Sequence, residues 1–256
     1  MKHRFLFTLF SLIIFLGCSK ENSENNDNTL NKNNNRETVG FSANDLLSDA
    51  LFKSMVIEVV YVEGYEPSQA TITNFVSFLT DRTFKPNGIL VEKRAIPSRG
   101  NDVYSIAAIA DIERELRQNY NSEDQIAVWV LFTDGRSDQD SSTNSVLGTA
   151  YWNTSFVIFE ETIQELSNST FEPDRTLLET TVINHEFGHI LGLTDLGSPM
   201  VEDHEDLAHP KHCDVETCLM FWAIESSAGI DAMVNMSSVP QLDVQCIADL
   251  RANGGK

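Results

Sequence analysis

The segment from residue 173 to residue 192 constrains the fold most. It is a helix-length run that is apolar on most sides and still contains two histidines. Pro173 is typical of a first helical position and Gly192 of a C-terminal stop. His185 and His189 are four residues apart, so their rings lie on one face of the helix, one turn apart. A helix that is apolar on most sides is buried, and buried histidines need partners.

The residues at and between these histidines indicate a metal site. Residues 185–189 read His-Glu-Phe-Gly-His. Two imidazoles one turn apart can bind one metal ion from the same side. Glu186 lies about 100° further round and can reach a metal-bound water without being a ligand. Zinc held by three protein groups keeps a position open for that water and lowers its pKa, and the carboxylate then accepts its proton. The alternative is a pair of core histidines that donate to backbone carbonyls.

The N-terminal residues 1–17 predict a secretory signal peptide. A basic start precedes an apolar run from Phe5 to Leu16, which is too short to span a bilayer. Leu16-Gly17-Cys18 resembles the lipobox of bacterial lipoproteins, in which the cysteine takes up a lipid and becomes the new N-terminus. An ordinary cleaved signal is the alternative. The resemblance implies a lipoprotein anchored to the membrane of a Gram-negative-type envelope, at the outer membrane or cell surface.

The segment that follows, residues 18–38, is rich in asparagine and contains few large apolar side chains. It buries too little surface to offset the entropy of ordering, so we expect a disordered tether. The remaining residues, 39–256, have a length that suits one domain with a sizeable core. A formal net charge of −20 argues against nucleic acid as a partner.

In the first part of this domain, short apolar runs that are typical of strands alternate with segments whose apolar residues have helical spacing. Such alternation predicts an α/β domain with a mostly parallel sheet. Residues 134–144 are polar and read as a loop, and a last helix is expected near residues 244–251. The predicted strands are residues 55–62, 89–96, 126–132, 146–151 and 155–159, and the predicted helices before the histidine motif are residues 68–84 and 104–120.

The histidine motif and a downstream segment resemble a known family. Residues 185–193, HEFGHILGL, resemble the metzincin signature HExxHxxG, and residues 212–220, HCDVETCLM, resemble the HCxxxxCxM segment of archaemetzincins. The lipoprotein start also resembles that of membrane-anchored bacterial metallopeptidases. The resemblance implies a zinc-dependent endopeptidase of α/β (α+β) class. A twisted mixed sheet and the active-site helix would form an upper part, residues 40–192, and a small irregular C-terminal part would follow at 193–256.

The resemblance also assigns roles to the matched residues. An extended protein or peptide substrate would add to the edge of the sheet, for which Gly148–Tyr151 is the candidate strand. The roles are zinc ligands for His185, His189 and His212, general base for Glu186, and the Met-turn below the metal for Met220.

The third ligand is where this chain departs from the archaemetzincin pattern. Archaemetzincins place the third histidine three residues after the glycine, whereas this chain inserts Leu193 to Lys211. Asp195 occupies the standard position, and His204 and His209 lie within the insertion, so these three stay open as alternatives. His212 is favoured because it is joined to the cysteine and methionine pattern.

The cysteines other than Cys18 have two interpretations. In an oxidising compartment Cys213 and Cys218 would pair, which leaves Cys246 free; this is the favoured interpretation. Archaemetzincins instead bind a second, structural zinc with four cysteines, two of them in a later CxxC. Here Asp243 stands where one of those cysteines would be, and aspartate also ligates zinc, so the resemblance implies a second zinc site formed by Cys213, Cys218, Asp243 and Cys246.

Two other functions stay open on the sequence alone. One is a surface-anchored, zinc-containing binding protein without catalysis, and the other is a zinc hydrolase of a non-peptide substrate. The presence of Glu186 argues against the first, because a purely structural site has no use for a base there.

Overall fold

The computed structural model describes residues 32–169, 171–234, 236 and 238–256. The predicted signal peptide, Cys18 and the first part of the predicted tether lie outside these residues. Within the described part of the chain, no helix is both long and apolar enough to cross a membrane.

The centre of the protein is a five-stranded mixed sheet. Four strands are parallel to one another, in the order β2-β1-β4-β7, and β6 joins antiparallel beside β7 as an edge strand. The remaining two strands, β3 and β5, form a separate short parallel ladder. The strands are β1 Ser54–Val62, β2 Ile89–Ile96, β3 Val103–Tyr104, β4 Gln125–Phe132, β5 Arg136–Ser137, β6 Gly148–Trp152 and β7 Ser155–Ile158.

Helices cover both faces of the sheet. The long helices α2 and α5 pack on one face and α3 packs on the other, so that the sheet is buried between two apolar clusters. Two 3₁₀ segments, Trp222–Glu225 and Ser227–Gly229, follow the Met-turn segment. The helices are α1 Ala43–Leu47, α2 Gln69–Arg82, α3 Ile106–Leu116, α4 Glu160–Glu165, α5 Arg175–Ile190, α6 Ile230–Met233 and α7 Val244–Ala252.

The predicted fold class is confirmed by this mixed sheet and its helices. Strand β2 has the predicted bounds, and β1 and β4 each begin one residue before the predicted start. The predicted edge strand is also confirmed, since β6 has hydrogen bonds to a neighbour on one side only. The expected loop at residues 134–144 instead contains β5, which is too short to leave a periodic pattern.

The C-terminal part of the predicted tether, residues 32–38, is ordered against the domain, so the ordered chain begins earlier than residue 39. Lys32–Asn35 forms a 3₁₀ turn. The buried Asn35 amide donates to the Ala127 carbonyl at 3.1 Å and to the Asn121 side chain at 2.7 Å. These contacts are polar, so a low content of apolar residues does not predict that this segment is disordered.

Candidate active site

Helix α5 carries the histidine motif through the interior of the protein. Asp174 caps its first turn by accepting a hydrogen bond from the Leu177 amide at 3.0 Å. Every residue from Leu178 to Ile190 is buried, as the apolar pattern predicts. Gly192 ends the helix with a φ of +83°, and a Cβ there would lie 2.4 Å from the Ser198 amide nitrogen. The chain therefore turns sharply just beyond the second histidine.

Three buried imidazoles meet at the C-terminal half of α5. The Nε2 atoms of His185 and His189 are 3.2 Å apart. His212 stacks beside His185, with ring centroids 5.4 Å apart, and its ring centroid is 5.0 Å from that of His189. One nitrogen from each ring, together with a Glu225 carboxylate oxygen, forms a group in which all atoms lie within 4.8 Å of one another.

The backbone fixes which nitrogen of two rings is free to bind a cation. His185 Nδ1 donates to the Leu219 carbonyl at 2.7 Å, and His212 Nδ1 donates to the Pro210 carbonyl at 3.2 Å. Donation from Nδ1 leaves the Nε2 lone pair unprotonated, which is the form that ligates a metal. The buried His212 Nε2 has no hydrogen-bond partner among the described residues. These features fit a zinc ion better than a pair of core histidines paired with carbonyls.

The surroundings of His189 disfavour its protonated form. Burial lowers the pKa of His189 well below its ordinary value, and the neighbouring His185 and His212 lower it further. A neutral imidazole is required for metal binding, whereas a protonated one repels the cation. The lowered pKa of His189 therefore favours binding of a divalent ion at this cluster.

Glu186 is fixed against the edge strand of the sheet. Its Oε2 accepts a hydrogen bond from the Ala150 amide of β6 at 2.7 Å, while its buried Oε1 has no partner within the described residues. Gly148 allows this approach, because a Cβ there would lie 2.7 Å from Glu186 Cγ. Burial raises the pKa of Glu186 well above its usual value, and the charge of Glu225 raises it further. A raised pKa makes the ionised carboxylate a stronger base.

Met220 packs directly beneath the histidine helix. A Cβ on Gly188 would lie 2.3 Å from Met220 Sδ, so the glycine of the motif makes room for the thioether. The Met220 carbonyl also accepts a hydrogen bond from the Cys213 amide at 2.8 Å. This bond links the methionine to the residue after His212, so the methionine segment helps to position that ring.

The insertion returns to the site as a hairpin. His204 to Asp206 runs antiparallel to His212 to Asp214, with a β-bridge between Glu205 and Cys213. The Asp206 amide donates to the His212 carbonyl at 2.8 Å. The extra residues therefore loop out and come back before His212, which still reaches the α5 histidines.

The alternative third ligands lie away from this cluster. Asp195 is exposed, with a φ of +60°, and does not join the metal-binding group. His209 pairs with Asp206 at 2.7 Å and stacks on Trp222, with ring centroids 4.1 Å apart. His204 faces a second cluster. The structure thus brings His212, and none of the other three, to His185 and His189.

The second cluster gathers the cysteines. His204, Cys213, Asp243 and Cys246 each offer one ligand atom within 4.8 Å of the others. The favoured Cys213–Cys218 disulfide is not formed in this structure, in which these thiols and that of Cys246 are free and buried. Cys213 lies instead with His204, Asp243 and Cys246, and Cys218 Sγ lies 3.7 Å from Cys246 Sγ.

Hydrogen bonds favour the thiolate form of Cys218, which lies beside the second cluster. Cys218 Sγ lies 3.7 Å from Cys246 Sγ and accepts bonds from the Met220 and Asp243 amides at 3.4 Å. Hydrogen bonds from Cys213 and Cys246 lower the pKa of Cys218 to about 4. Cys218 thus places a thiolate next to the four grouped residues, which favours a cation among them.

Glu225, which no sequence pattern singled out, is the fourth member of the histidine group. It lies at the end of the 3₁₀ segment Trp222–Glu225, five residues after Met220. Neither periodicity nor a motif singles it out. An acidic side chain close behind the methionine segment is the one signal that the sequence offers.

A cleft of about 350 Å³ opens onto the histidine cluster. The edge strand contributes Thr149 and Ala150 to its lining, and the hairpin contributes Lys211. A larger hollow of about 510 Å³ lies against α2, but no histidine or cysteine lines it. The smaller cleft is therefore the one that combines space with reactive groups.

Comparison with known proteins identifies the fold. No model of a known protein family matches the sequence, and no curated protein matches it either. Among solved structures, archaemetzincin from Methanopyrus kandleri is similar, with a TM-score of 0.50 and 16% identity over 78% of this chain and 96% of that chain. Metalloproteinase-II from Bacteroides fragilis has a TM-score of 0.41 and 15% identity, over 80% of this chain and 54% of its own. The chain has the mixed α/β fold of archaemetzincin, as its motif resemblance implied.

Proposed function

We propose that this protein is a zinc-dependent endopeptidase in which His185, His189 and His212 hold the metal and Glu186 is the general base. The observation that carries the proposal is the convergence of three buried imidazoles beside a buried carboxylate that is bonded to the edge strand. The likeness to archaemetzincin supports the fold, and the donor set supports the metal.

The residues divide the chemistry between them. When bound, zinc acts as a Lewis acid that polarises the scissile carbonyl and lowers the pKa of the attacking water. The Ala150 amide holds one oxygen of Glu186 and leaves the other free to accept the proton of that water. The raised pKa of Glu186 lets it keep the proton and then deliver it to the leaving amine.

Protein or peptide chains are the proposed substrates, because the cleft runs beside an edge strand. Thr149 and Ala150 of β6 line the cleft together with Glu186 and His189. An extended peptide would pair with the free edge of β6, so that its main chain supplies affinity and its scissile carbonyl faces the histidines.

The second cluster is proposed to hold a structural zinc ion. His204 Nε2 donates to the Asp249 carboxylate at 2.8 Å, which leaves Nδ1 unprotonated and facing Cys213 Sγ at 3.4 Å. The predicted set is Cys213, Cys218, Asp243 and Cys246. In this proposal His204, from the insertion, takes the place of Cys218, which lies beside the other three residues. A closed set of thiolate and imidazole ligands is typical of structural zinc.

An N-terminal lipid is the proposed anchor. Support comes from the basic start, the apolar run and the Leu16-Gly17-Cys18 pattern. The peptidase domain would then act at the membrane of a Gram-negative-type envelope, on the outer membrane or cell surface, which suits cleavage of exported or external proteins.

The decisive experiment is digestion of a peptide library with and without a chelator. We expect cleavage that stops with chelator and returns with zinc. Glu186→Gln keeps the bond to Ala150 but cannot accept a proton, so cleavage should fall by about 10²- to 10⁴-fold with zinc content unchanged. Glu63→Gln, which changes an exposed carboxylate, is the matched control and should cleave normally.

The outcomes separate the competing functions. A protein that holds zinc at the three histidines but cleaves no peptide would favour the binding protein or the non-peptide hydrolase. Full activity in the Glu186→Gln protein would remove the proposed mechanism, since Glu186 is the one carboxylate bonded to the edge strand among the described residues at the cleft.

A further inference from the structure

The carboxylate of Glu225 lies against all three active-site histidines. Its Oε2 is 3.5 Å from His212 Nε2 and 3.8 Å from the Nε2 atoms of both His185 and His189. The two α5 nitrogens are themselves 3.2 Å apart. Four of the six distances within this group of four atoms therefore fall between 3.2 and 3.8 Å.

These distances match a tetrahedron around one zinc ion. Ligand atoms that sit 2.0–2.1 Å from a tetrahedral zinc are about 3.3–3.4 Å from one another. A carboxylate that only hydrogen-bonded a water on the metal would lie one hydrogen-bond length further out, roughly 5 Å or more from the nitrogens. The Glu225 carboxylate therefore lies at the distance expected of a direct zinc ligand. It is too close to the nitrogens to act only through a metal-bound water.

The backbone around Glu225 presents the side chain to the cluster. The Glu225 carbonyl accepts a hydrogen bond from the Leu147 amide at 2.8 Å, and the next residue, Ser226, forms a β-bridge with Val146. The segment is thus tied to the chain that leads into the edge strand. These bonds use main-chain atoms alone, so the carboxylate remains free to ligate.

Charge favours the same arrangement. An imidazole ligates a metal as a neutral group and so adds no charge to the site, and Glu186 is engaged by the Ala150 amide. Glu225 is the remaining carboxylate in the group, and its side chain is 35% exposed. It can therefore bind a cation in the cluster and can also withdraw toward solvent.

We propose, on the basis of the proposed peptidase function, that Glu225 is a fourth protein ligand that closes the zinc site in the resting protein. Catalytic zinc sites keep one position open, whereas sites with four protein ligands are closed. The arrangement in this structure is then a latent one. Glu225 must move away before water and a peptide carbonyl can reach the metal.

The test measures metal binding in wild type, Glu225→Ala and Glu225→Gln, with Glu63→Ala as the control at an exposed carboxylate. Zinc affinity is measured by competition with a chelator, and the ligand set by the visible spectrum of the cobalt-substituted protein. Loss of a ligand should weaken zinc binding at least about tenfold in the Ala protein and should change its cobalt spectrum. Added acetate should restore the wild-type spectrum in the Ala protein, because it fills the space of the lost carboxylate, and should not alter the wild-type spectrum.

The inference is overturned if both Glu225 variants keep wild-type zinc affinity and the wild-type cobalt spectrum. The Gln protein keeps the size of the side chain, so it decides the matter should the Ala protein fail to fold. His189→Ala separates this inference from the proposed function. If His189→Ala binds as many zinc ions as wild type, the active site itself is misassigned. If it loses one zinc ion while the Glu225 variants do not change, the Glu225 inference alone is wrong.

Discussion

Replacement of Gly188 by alanine tests how the methionine segment packs beneath the histidine helix. A glycine inside a helix is normally less stable than alanine by about 1 kcal/mol, so helix propensity alone predicts stabilisation. Here the new Cβ would lie 2.3 Å from Met220 Sδ and 3.1 Å from its Cε. Met220 is completely buried, so its thioether has no solvent to move into. Overpacking of this kind costs about 1–3 kcal/mol, so the net effect should be destabilisation by about 0–2 kcal/mol.

The sign of the effect should reverse when the thioether is removed. Met220→Ala alone should destabilise by about 2–5 kcal/mol, because it leaves a cavity. In that background Gly188→Ala meets no sulfur and should stabilise by about 1 kcal/mol. The coupling between the two positions is then about 1–3 kcal/mol, well above the error expected for independent sites.

Urea unfolding of the four proteins measures this coupling. All should be studied at the same saturating zinc concentration, with the zinc affinity of each protein measured so that its contribution can be subtracted. Stabilisation by Gly188→Ala in the wild-type background would refute the packing, and so would an identical effect in both backgrounds.

Three further predictions concern the ligands, the pH dependence and the anchor. His212→Ala should lose active-site zinc and peptidase activity together, whereas Asp195→Ala should keep both; elemental analysis with a peptide assay decides, and the opposite pattern would reverse the ligand assignment. Burial and the nearby Glu179 raise the pKa of Glu160 to about 9, so the folded protein keeps a proton that the unfolded chain releases above about pH 4.5. Stability should therefore fall as the pH rises from about 4.5 to 9, and Glu160→Gln should raise Tm more at pH 8 than at pH 5; parallel Tm curves would contradict this. Cys18→Ala should move the full chain from the membrane fraction to the soluble fraction, and a variant that still pellets after salt washing would exclude the lipid anchor.

The parts of the fold that the sequence predicted are those with long, periodic burial. Strand β4 is apolar along nearly its whole length and lies at the centre of the sheet. Helix α5 is buried on all sides from Leu178 to Ile190, as its apolar residues predicted. Strand β5 and the turn at Lys32–Asn35 escaped prediction, because two- to four-residue elements have no period and are held by polar contacts.

The candidate site divides in the same way. His185, Glu186 and His189 lie on one helix, so their spacing in the sequence already defines their geometry. His212 was favoured on its motif, and the structure brings it to the cluster. Glu225 could not be inferred, and His204 could not be assigned to the cysteine group, because their positions depend on how an insertion and a 3₁₀ segment fold in three dimensions.

The hydrogen bond between His204 and Asp249 has a consequence for biosynthesis. Asp249 lies on α7 and is fully buried, where it accepts bonds from His204 Nε2 and the Val201 amide. It thereby secures the hairpin that carries His212. A ribosome will have released the two α5 histidines some sixty residues before Asp249 appears. The contact therefore predicts that the third histidine is held in its place only after α7 has been translated and docked, so that the candidate site is completed late in synthesis.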